Sequence, residues 1–241
     1  MSSQEPTVVA LDGPSGVGKT TVARLLADRL GLPYLETGAM YRAVGLEALD
    51  LGIDPEDAAR LERLAGELEM TLEEDHAGRV QVLLRGEPLS PRARRLEVGE
   101  ITSRISAHAG VRQTMVARQR LCAGLRGAVM EGRDIGTKVF PETPFKFFLD
   151  APLEVRSKRR ALQLRDTDGA DPDPRLVLAE VAARDERDAG RADSPLTMDD
   201  SYELVDTGGR TVEEVVEAIV ERIDAIRRQA AGRRLAPASF D

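Results

Sequence analysis

The sequence predicts an α/β protein in which a parallel sheet is flanked by helices. Three observations favour this class. Apolar runs typical of buried strands alternate with segments of helical spacing over the first fifty residues. A glycine-rich segment joins the first strand to the first helix. The chain of 241 residues is also long enough to bury a full core, with about 72% of the unfolded surface removed from water.

The N-terminal part predicts two strand–helix pairs. Residues 7–12 form an apolar run that ends in an acidic residue and glycine, as a buried strand does. Residues 18–30 carry apolar side chains at helical spacing and are predicted to form a helix that stops at Gly31. Residues 32–35 then predict a second strand and residues 39–51 a second helix. Such crossovers indicate parallel strands.

The pattern changes in the middle of the chain. Residues 55–68 are helical in spacing, whereas residues 69–74 and 80–85 alternate and are separated by Asp-His-Ala-Gly, a hairpin signal. We therefore expect a small antiparallel insert over residues 60–103.

The C-terminal half is predicted to return to the α/β alternation. The expected helices are residues 111–125, 152–165, 175–191 and 212–228, and the expected strands are residues 127–131, 146–150 and 202–206. The polar loop 166–174 favours a helical lid over about 155–192. The core domain then comprises residues 5–59 and 104–228, and the tail 229–241, which lacks periodicity, is expected to fray.

One motif indicates chemistry. The segment GPSGVGKT matches G-x-x-x-x-G-K-[ST], directly after a predicted strand and at the start of a helix. Backbone N–H groups of such a P-loop surround nucleotide phosphates, and the helix N-terminus adds partial positive charge. The predicted ATP-binding residues are Gly13, Pro14, Ser15, Gly16, Val17, Gly18, Lys19 and Thr20. We expect Lys19 to face solvent and reach the β- and γ-phosphates, and the Thr20 hydroxyl to ligate Mg²⁺.

Composition excludes several classes of protein. The net charge of −8 does not favour nucleic acid as a partner. One cysteine and two histidines exclude a disulfide framework and disfavour structural zinc. No apolar run reaches 18 residues and no signal peptide is visible, so we expect a cytoplasmic protein without a membrane span. The sequence contains no asparagine, which disfavours a regulatory GTPase with an N-K-x-D segment. A small kinase or a phosphate-sensing binding module remains.

Three polar groups favour the kinase. They follow predicted strand ends or share one helix face: Thr37, Tyr41 and Arg42; Arg133 and Asp134; Arg184, Asp188 and Arg191. The second group would otherwise be a turn-stabilising pair, and the third a solvated helix face. Together with a P-loop they predict a cluster that clamps phosphate.

Five motifs occur in the order and spacing of bacterial cytidylate kinases, and the chain resembles that family to about residue 228. The motifs are GPSGVGKT, ETGAMYR, TSRISAHAGVR, EGRDIGT and RDERDAGR. The resemblance implies a P-loop kinase core with an insert that binds the nucleoside monophosphate. It also implies a monomer that phosphorylates CMP and dCMP with ATP. Another small P-loop kinase, acting on UMP or shikimate, and a catalytically silent nucleotide-binding regulator are the alternatives.

The resemblance also assigns roles to residues. Lys19, Arg133, Arg184 and Arg191 are the expected catalytic residues. The expected CMP-binding residues are Thr37, Tyr41, Arg42, Ser103, Arg112, Arg133, Asp134, Arg184, Asp188 and Arg191. Thr20 and, through water, Glu131 are the expected metal ligands. Glu36 and Glu131 stand where the family commonly has aspartate, which would lengthen the reach to a metal-bound water.

Overall fold

The computed structural model describes residues 7–75, 79–124, 126–168 and 171–235. Its strands are β1 (Val8–Asp12), β2 (Tyr34–Glu36), β3 (Met70–Glu74), β4 (Arg79–Leu84), β5 (Glu87–Pro88), β6 (Ala128–Gly132), β7 (Phe145–Asp150) and β8 (Glu203–Asp206). The α-helices are α1 (Lys19–Leu30), α2 (Thr37–Asp50), α3 (Ala58–Glu67), α4 (Leu96–Ile105), α5 (Ala109–Ala123), α6 (Leu153–Asp168), α7 (Pro174–Ala189) and α8 (Val212–Leu235). A 3₁₀ turn (Pro91–Arg94) and a π-helical turn (Ile135–Val139) complete them.

The sheet has the order β3-β4-β2-β6-β1-β7-β8, with β5 beside β4. The five neighbouring strands β2, β6, β1, β7 and β8 run parallel, which confirms the predicted fold class. All five residues of β1 are buried, because this strand lies between two neighbours and is covered on both faces. The carboxyl ends of β1, β2 and β6 therefore meet at one edge of the sheet.

Two apolar layers cover the faces of the sheet. Val9 and Leu11 point to one side, where they join a cluster that includes side chains of α1 and α8. Val8 and Ala10 alternate to the other side and join a cluster with Val116 of α5. This arrangement follows from the continuous apolar run of β1, in which both sets of alternating side chains need cover.

The insert is more closely joined to the core than the sequence predicts. The antiparallel hairpin of β3 and β4 is present, but β4 also pairs in parallel with β2, through Leu35 opposite Val80. The hairpin thus extends the main sheet. The region 60–103 also contains α4 and the 3₁₀ turn, which the sequence analysis does not predict. Hairpin spacing specifies the local partner of β4, whereas its second partner is decided by packing.

Several helix ends differ from the prediction. The tail expected to fray from residue 229 instead continues α8 to Leu235, because alanine, arginine and leucine favour helix even without an apolar stripe. Residues 236–241 lie outside the described part. Helix α7 ends at Ala189 with Gly190 as its cap, so Arg191 lies beyond the helix and not on its face. The predicted loop 166–174 is shortened from both sides, since α6 reaches Asp168 and Pro174 begins α7.

Candidate active site

The glycine-rich loop lies between β1 and α1, tightly against two other elements. A Cβ added to Gly13 would lie 2.2 Å from the Leu149 carbonyl oxygen of β7, and one on Gly16 would lie 2.5 Å from that of Arg156 in α6. Both glycines also have positive φ values, of 151° and 75°. Only glycine fits these positions. Residues 15–20 of this loop line a cavity of about 700 Å³.

Lys19 does not face solvent, contrary to the sequence-based expectation. Its side chain folds back over the loop, and Nζ donates to the carbonyl oxygens of Gly13, at 2.8 Å, and Pro14, at 2.7 Å. Burial and the nearby Arg133 guanidinium lower the pKa of Lys19 well below its usual value. The ammonium is therefore placed where an arriving anion would stabilise it.

Two carboxylates stand opposite each other where β2 and β6 end. Glu36 is the register partner of Glu131. Glu36 forms ion pairs with Arg42 and with Arg94, the latter at 2.9 Å. Glu131 accepts a hydrogen bond of 2.5 Å from the Tyr34 hydroxyl, and burial together with the Glu36 charge raises its pKa. Within the described residues Glu131 has no ion-pair partner, so this carboxylate suits a cation.

A second cluster centres on Asp188, whose side chain is only 1% exposed. Arg133 Nε donates to it at 2.8 Å, Arg191 pairs with its other oxygen, and Arg184 Nε lies 4.0 Å away. These guanidinium groups hold the pKa of Asp188 below its usual value. Burial and Arg133 lower the pKa of Arg184 to about 10. Three partly buried cations thus share one buried carboxylate, which leaves an excess of positive charge in the cavity.

Arg112, Asp134 and Tyr41 form a third group in the cavity wall. Arg112 and Asp134 form a buried ion pair through Asp134 Oδ2. The guanidinium carbon of Arg112 lies 5.6 Å from the Tyr41 ring centroid, within cation–π range. The buried Tyr41 hydroxyl has no hydrogen-bond partner in the described part of the chain. The group therefore offers a carboxylate, fixed donors and an unused hydroxyl side by side.

Of the predicted CMP-binding residues, Ser103 does not line the cavity, and of the predicted ATP-binding residues Gly13 and Pro14 do not. The Ser103 hydroxyl accepts a hydrogen bond of 3.1 Å from Arg187 Nε. Thr102 and Ser106 line the cavity instead. These two are four residues apart and so lie above one another at the end of α4, whereas Ser103 is turned by about 100°. Thr37 and Arg42 line the cavity as expected.

The sequence analysis does not predict the contacts that join the P-loop to α6 and α7. Asp185 accepts from the Ser15 N–H at 3.2 Å and pairs with Arg156. Arg159 Nη1 donates to the Val17 carbonyl oxygen at 3.0 Å. The alternation of arginine and aspartate in RDERDAGR is a signal for such contacts, but it does not specify their partners. At one end, the cavity is lined by Arg159, Thr207, Arg210 and Thr211.

A phosphate loop at the end of the central strand, a buried lysine and a facing arginine cluster define a P-loop phosphotransferase. Residues 9–225 match the family model described as cytidylate kinase. A cytidylate kinase of Symbiobacterium thermophilum is 44% identical over 213 residues, which cover 88% of this chain and 94% of that protein. One of Corynebacterium glutamicum is 44% identical over 220 residues, covering 90% and 94%. The chain therefore belongs to the cytidylate kinase family and is a nucleoside monophosphate kinase.

Two further comparisons concern a longer relative and a protein of similar fold. A protein of Synechococcus sp. (strain CC9902) described as a bifunctional pantoate ligase/cytidylate kinase is 43% identical over 214 residues, which cover 88% of this chain and 44% of that protein. The solved structure of an uncharacterised protein from Eubacterium ventriosum has a TM-score of 0.51, with 14% identity, and covers 92% of this chain and 99% of its own. This structural likeness concerns the fold alone.

Proposed function

We propose that the cavity transfers the γ-phosphoryl group of ATP to CMP or dCMP, giving ADP and CDP or dCDP. The observation that carries the proposal is the Asp188 cluster, in which three partly buried guanidinium groups share one buried carboxylate. It lines the same cavity as the P-loop. An excess of positive charge in the cavity that holds a phosphate loop suits a second anion, the acceptor phosphate.

The donor half of the site comprises Gly13, Pro14, Ser15, Gly16, Val17, Gly18, Lys19 and Thr20. When ATP binds, Lys19 Nζ would exchange the carbonyl oxygens of Gly13 and Pro14 for oxygens of the β- and γ-phosphates. Phosphate oxygens would favour the ammonium form of a group whose pKa is lowered by burial and by Arg133. We place the adenine base at the end of the cavity lined by Arg159 and Thr207.

The acceptor half recognises cytosine by hydrogen-bond type. Cytosine carries an N4 amino donor and an N3 acceptor, which suit the Asp134 carboxylate and the Arg112 guanidinium. Uracil would place its O4 acceptor against that carboxylate, so it is disfavoured. The other proposed contacts are Thr37, Tyr41 and Arg42, with Thr102 and Ser106 on the cavity wall in place of Ser103. Arg133, Arg184, Asp188 and Arg191 hold the ribose and phosphate.

The chemical step needs no protein base. The CMP phosphate is largely a dianion at pH 7, so an unprotonated oxygen is available to attack the γ-phosphorus. A bond forms from that oxygen to phosphorus, and the bond from phosphorus to the bridging oxygen of ADP breaks. The protein brings the two anions together and stabilises the charge of the transferring group, through Lys19, Arg133, Arg184 and Arg191.

The donor set near the P-loop fits Mg²⁺. Thr20 supplies a hydroxyl and Glu131 a carboxylate, and both line the cavity. Oxygen donors of this kind are the ligands that Mg²⁺ prefers. Bound Mg²⁺ would supply positive charge that stabilises the phosphates of ATP. Thr20 would hold it directly and Glu131 through water, and each activity assay with excess EDTA should then give no turnover.

The remaining proposals concern the setting of the enzyme. No helix in the described residues is long and apolar enough to cross a membrane. The net charge of −8 disfavours nucleic acid as a partner, whereas the arginines of the cavity suit small nucleotides. Because one chain supplies both halves of the cavity, we propose a monomer, acting in the cytoplasm. Gel filtration with light scattering tests whether the protein is a monomer. A mass near 52 kDa, twice that of one chain, would contradict the proposal.

A coupled assay for ADP tests the function. Purified protein is supplied with ATP, Mg²⁺ and one acceptor at a time: CMP, dCMP, UMP, AMP or shikimate. We expect turnover with CMP and dCMP and much lower kcat/KM with UMP. Preference for UMP or shikimate would contradict the proposed acceptor. ATP binding without turnover on any acceptor would identify a nucleotide-binding regulator.

A further inference from the structure

Asp12 is a fully buried carboxylate that the proposed chemistry does not use. It is the last residue of β1, directly before the P-loop, and its exposed fraction is 0%. Oδ1 accepts from the Ile135 N–H at 3.0 Å, and Oδ2 accepts from the Gly136 N–H at 2.9 Å. The Tyr202 hydroxyl also donates to Oδ2, at 2.6 Å. This side chain therefore links three segments of the chain: β1, the turn that begins at Ile135, and the segment that contains Tyr202.

The two backbone donors belong to the turn that directly follows the proposed acceptor-binding residues Arg133 and Asp134. Asp12 is the register partner of Gly132, the last residue of β6. The chain then passes through Arg133 and Asp134 and enters the π-helical turn, whose first two N–H groups are those bonded to Asp12. These groups have no partner inside the turn, as at any helix start. The carboxylate thus fixes the chain immediately after Arg133 and Asp134.

The packing around this contact leaves little freedom. A Cβ on Gly136 would lie 2.6 Å from the Tyr202 hydroxyl oxygen and 3.0 Å from Lys146 Cδ. A carboxylate offers an acceptor to each of two successive N–H groups, whereas an asparagine amide offers one oxygen and sets an NH₂ group against the other donor. Burial raises the pKa of Asp12 to about 6, and the three donors counteract this, so the group is charged at pH 7.

We propose that Asp12 is a positioning residue for cytosine selectivity, which sets Arg133 and Asp134 in the acceptor half by holding the turn that follows them. The inference rests on the proposed function. Since Asp12 also precedes Gly13, it joins the donor loop and the acceptor-binding turn at one point of the sheet. In the described part of the chain, the hydrogen bonds of its carboxylate go to the π-helical turn and the Tyr202 hydroxyl and not to the P-loop, so a change at Asp12 should disturb the recognition of CMP far more than the binding of ATP.

The decisive variant is Asp12→Asn. We expect KM for CMP to rise about tenfold and the ratio of kcat/KM for CMP to that for UMP to fall several-fold, because small displacements of binding groups have large effects. KM for ATP should stay within about twofold of the parent value. Calorimetric titration with CMP, without ATP, should show the same loss of affinity, which gives a readout independent of turnover.

Two further variants separate positioning from a general structural role. Tyr202→Phe removes one donor to Asp12 but keeps the ring that contacts Phe148 edge-on, and it should produce a smaller shift in the same direction. Thr143→Val is the matched control. The Thr143 hydroxyl donates a buried hydrogen bond of 2.5 Å to Val8, at the other end of β1. It should lower the melting temperature without changing the CMP-to-UMP ratio.

The outcomes are distinguishable. If the parent phosphorylates CMP and folded Asp12→Asn keeps the parent CMP-to-UMP ratio and CMP affinity, the inference is overturned while the proposed function stands. Equal loss of affinity for CMP and ATP would also overturn it. If Asp12→Asn does not fold, Tyr202→Phe decides: a shift in KM for CMP alone supports the inference, and parent values for both substrates refute it.

Discussion

Replacing Asp134 by asparagine changes one charge in the proposed base-binding group while keeping its shape. Arg112 binds Oδ2 of this carboxylate, so Oδ1 is the oxygen that the cytosine amino group would meet. In the variant, the single amide oxygen can accept from that amino group, without charge, only when the NH₂ group faces the donors of Arg112. The amide NH₂ can also donate to O4 of uracil, which the carboxylate cannot do. The substitution should therefore weaken CMP and favour UMP.

The magnitude follows from the hydrogen-bond types. Hydrogen bonds to charged groups contribute about 1.5–3 kcal/mol and neutral ones about 0.5–1.5 kcal/mol, so CMP should lose about 1 kcal/mol. A gain of about 1 kcal/mol for UMP, from its new neutral hydrogen bond, brings the change in discrimination to about 2 kcal/mol. This corresponds to about a thirtyfold fall in the CMP-to-UMP ratio of kcat/KM.

The assay measures kcat/KM for both nucleotides on three variants. Asp193→Asn is the matched control, because Asp193 acts electrostatically on Arg112 and pairs with Lys138; it should leave the ratio within about twofold. Asp134→Ala should instead lose about 3–5 kcal/mol of stability, because it strands the buried Arg112 charge. An unchanged ratio in folded Asp134→Asn would refute the assignment of Asp134 to the base.

Three further predictions concern charge. Lys19→Met should lower kcat by about 10³-fold or more. The melting temperature should change little, because removing the electrostatic repulsion by Arg133 and Arg184 offsets two lost hydrogen bonds. Parent kcat at saturating ATP would contradict the P-loop role. Alanine substitutions of the three arginines around Asp188 should each raise KM for CMP or lower kcat: Arg133→Ala, Arg184→Ala and Arg191→Ala. Arg184→Ala should lose least stability in thermal melts, since the Arg184 guanidinium is 4.0 Å from the nearest Asp188 oxygen. Parent kinetics in all three variants would indicate that these arginines have only a structural role. The Asp12 pKa is raised from 3.8 to about 6, so between these values the native state binds a proton that the unfolded state does not. This group therefore lowers the free energy of unfolding by about 3 kcal/mol as pH rises from about 4 to 6. Free energies from denaturant titrations of parent and Asp12→Asn, plotted against pH, should differ in slope over that interval, and parallel curves would exclude the effect.

Local features of the chain were accessible to sequence analysis. The P-loop was predicted because its glycines, lysine and threonine are contiguous and each has its own physical reason. The alternation of strands and helices in the first fifty residues likewise follows from periodicities within short segments. The hairpin of β3 and β4 was predicted from alternation and a turn signal. Such features depend on neighbours in sequence, and their element ends shifted by only a few residues.

Pairings between distant residues were not accessible in this way. Glu36 and Glu131 are register partners although 95 positions separate them. The burial of Lys19 depends on the carbonyl groups of its own loop and on Arg133, so its motif indicated the role but not the environment. Likewise, the Ser103 hydroxyl is turned towards Arg187, and helix α4, which orients it, is not among the helices predicted from the sequence.

The sequence by itself determined the class of this protein: an α/β phosphotransferase with a P-loop, and through five ordered motifs a cytidylate kinase. The tertiary structure alone decided which charges share a cavity. It placed Arg191 beyond α7 and still against Asp188, and it set Asp12 under the turn that follows Arg133. The physical reason is that motifs encode backbone conformation and chemical type locally, whereas the partner of a buried charge is chosen by how sheet order and helix packing bring remote segments together.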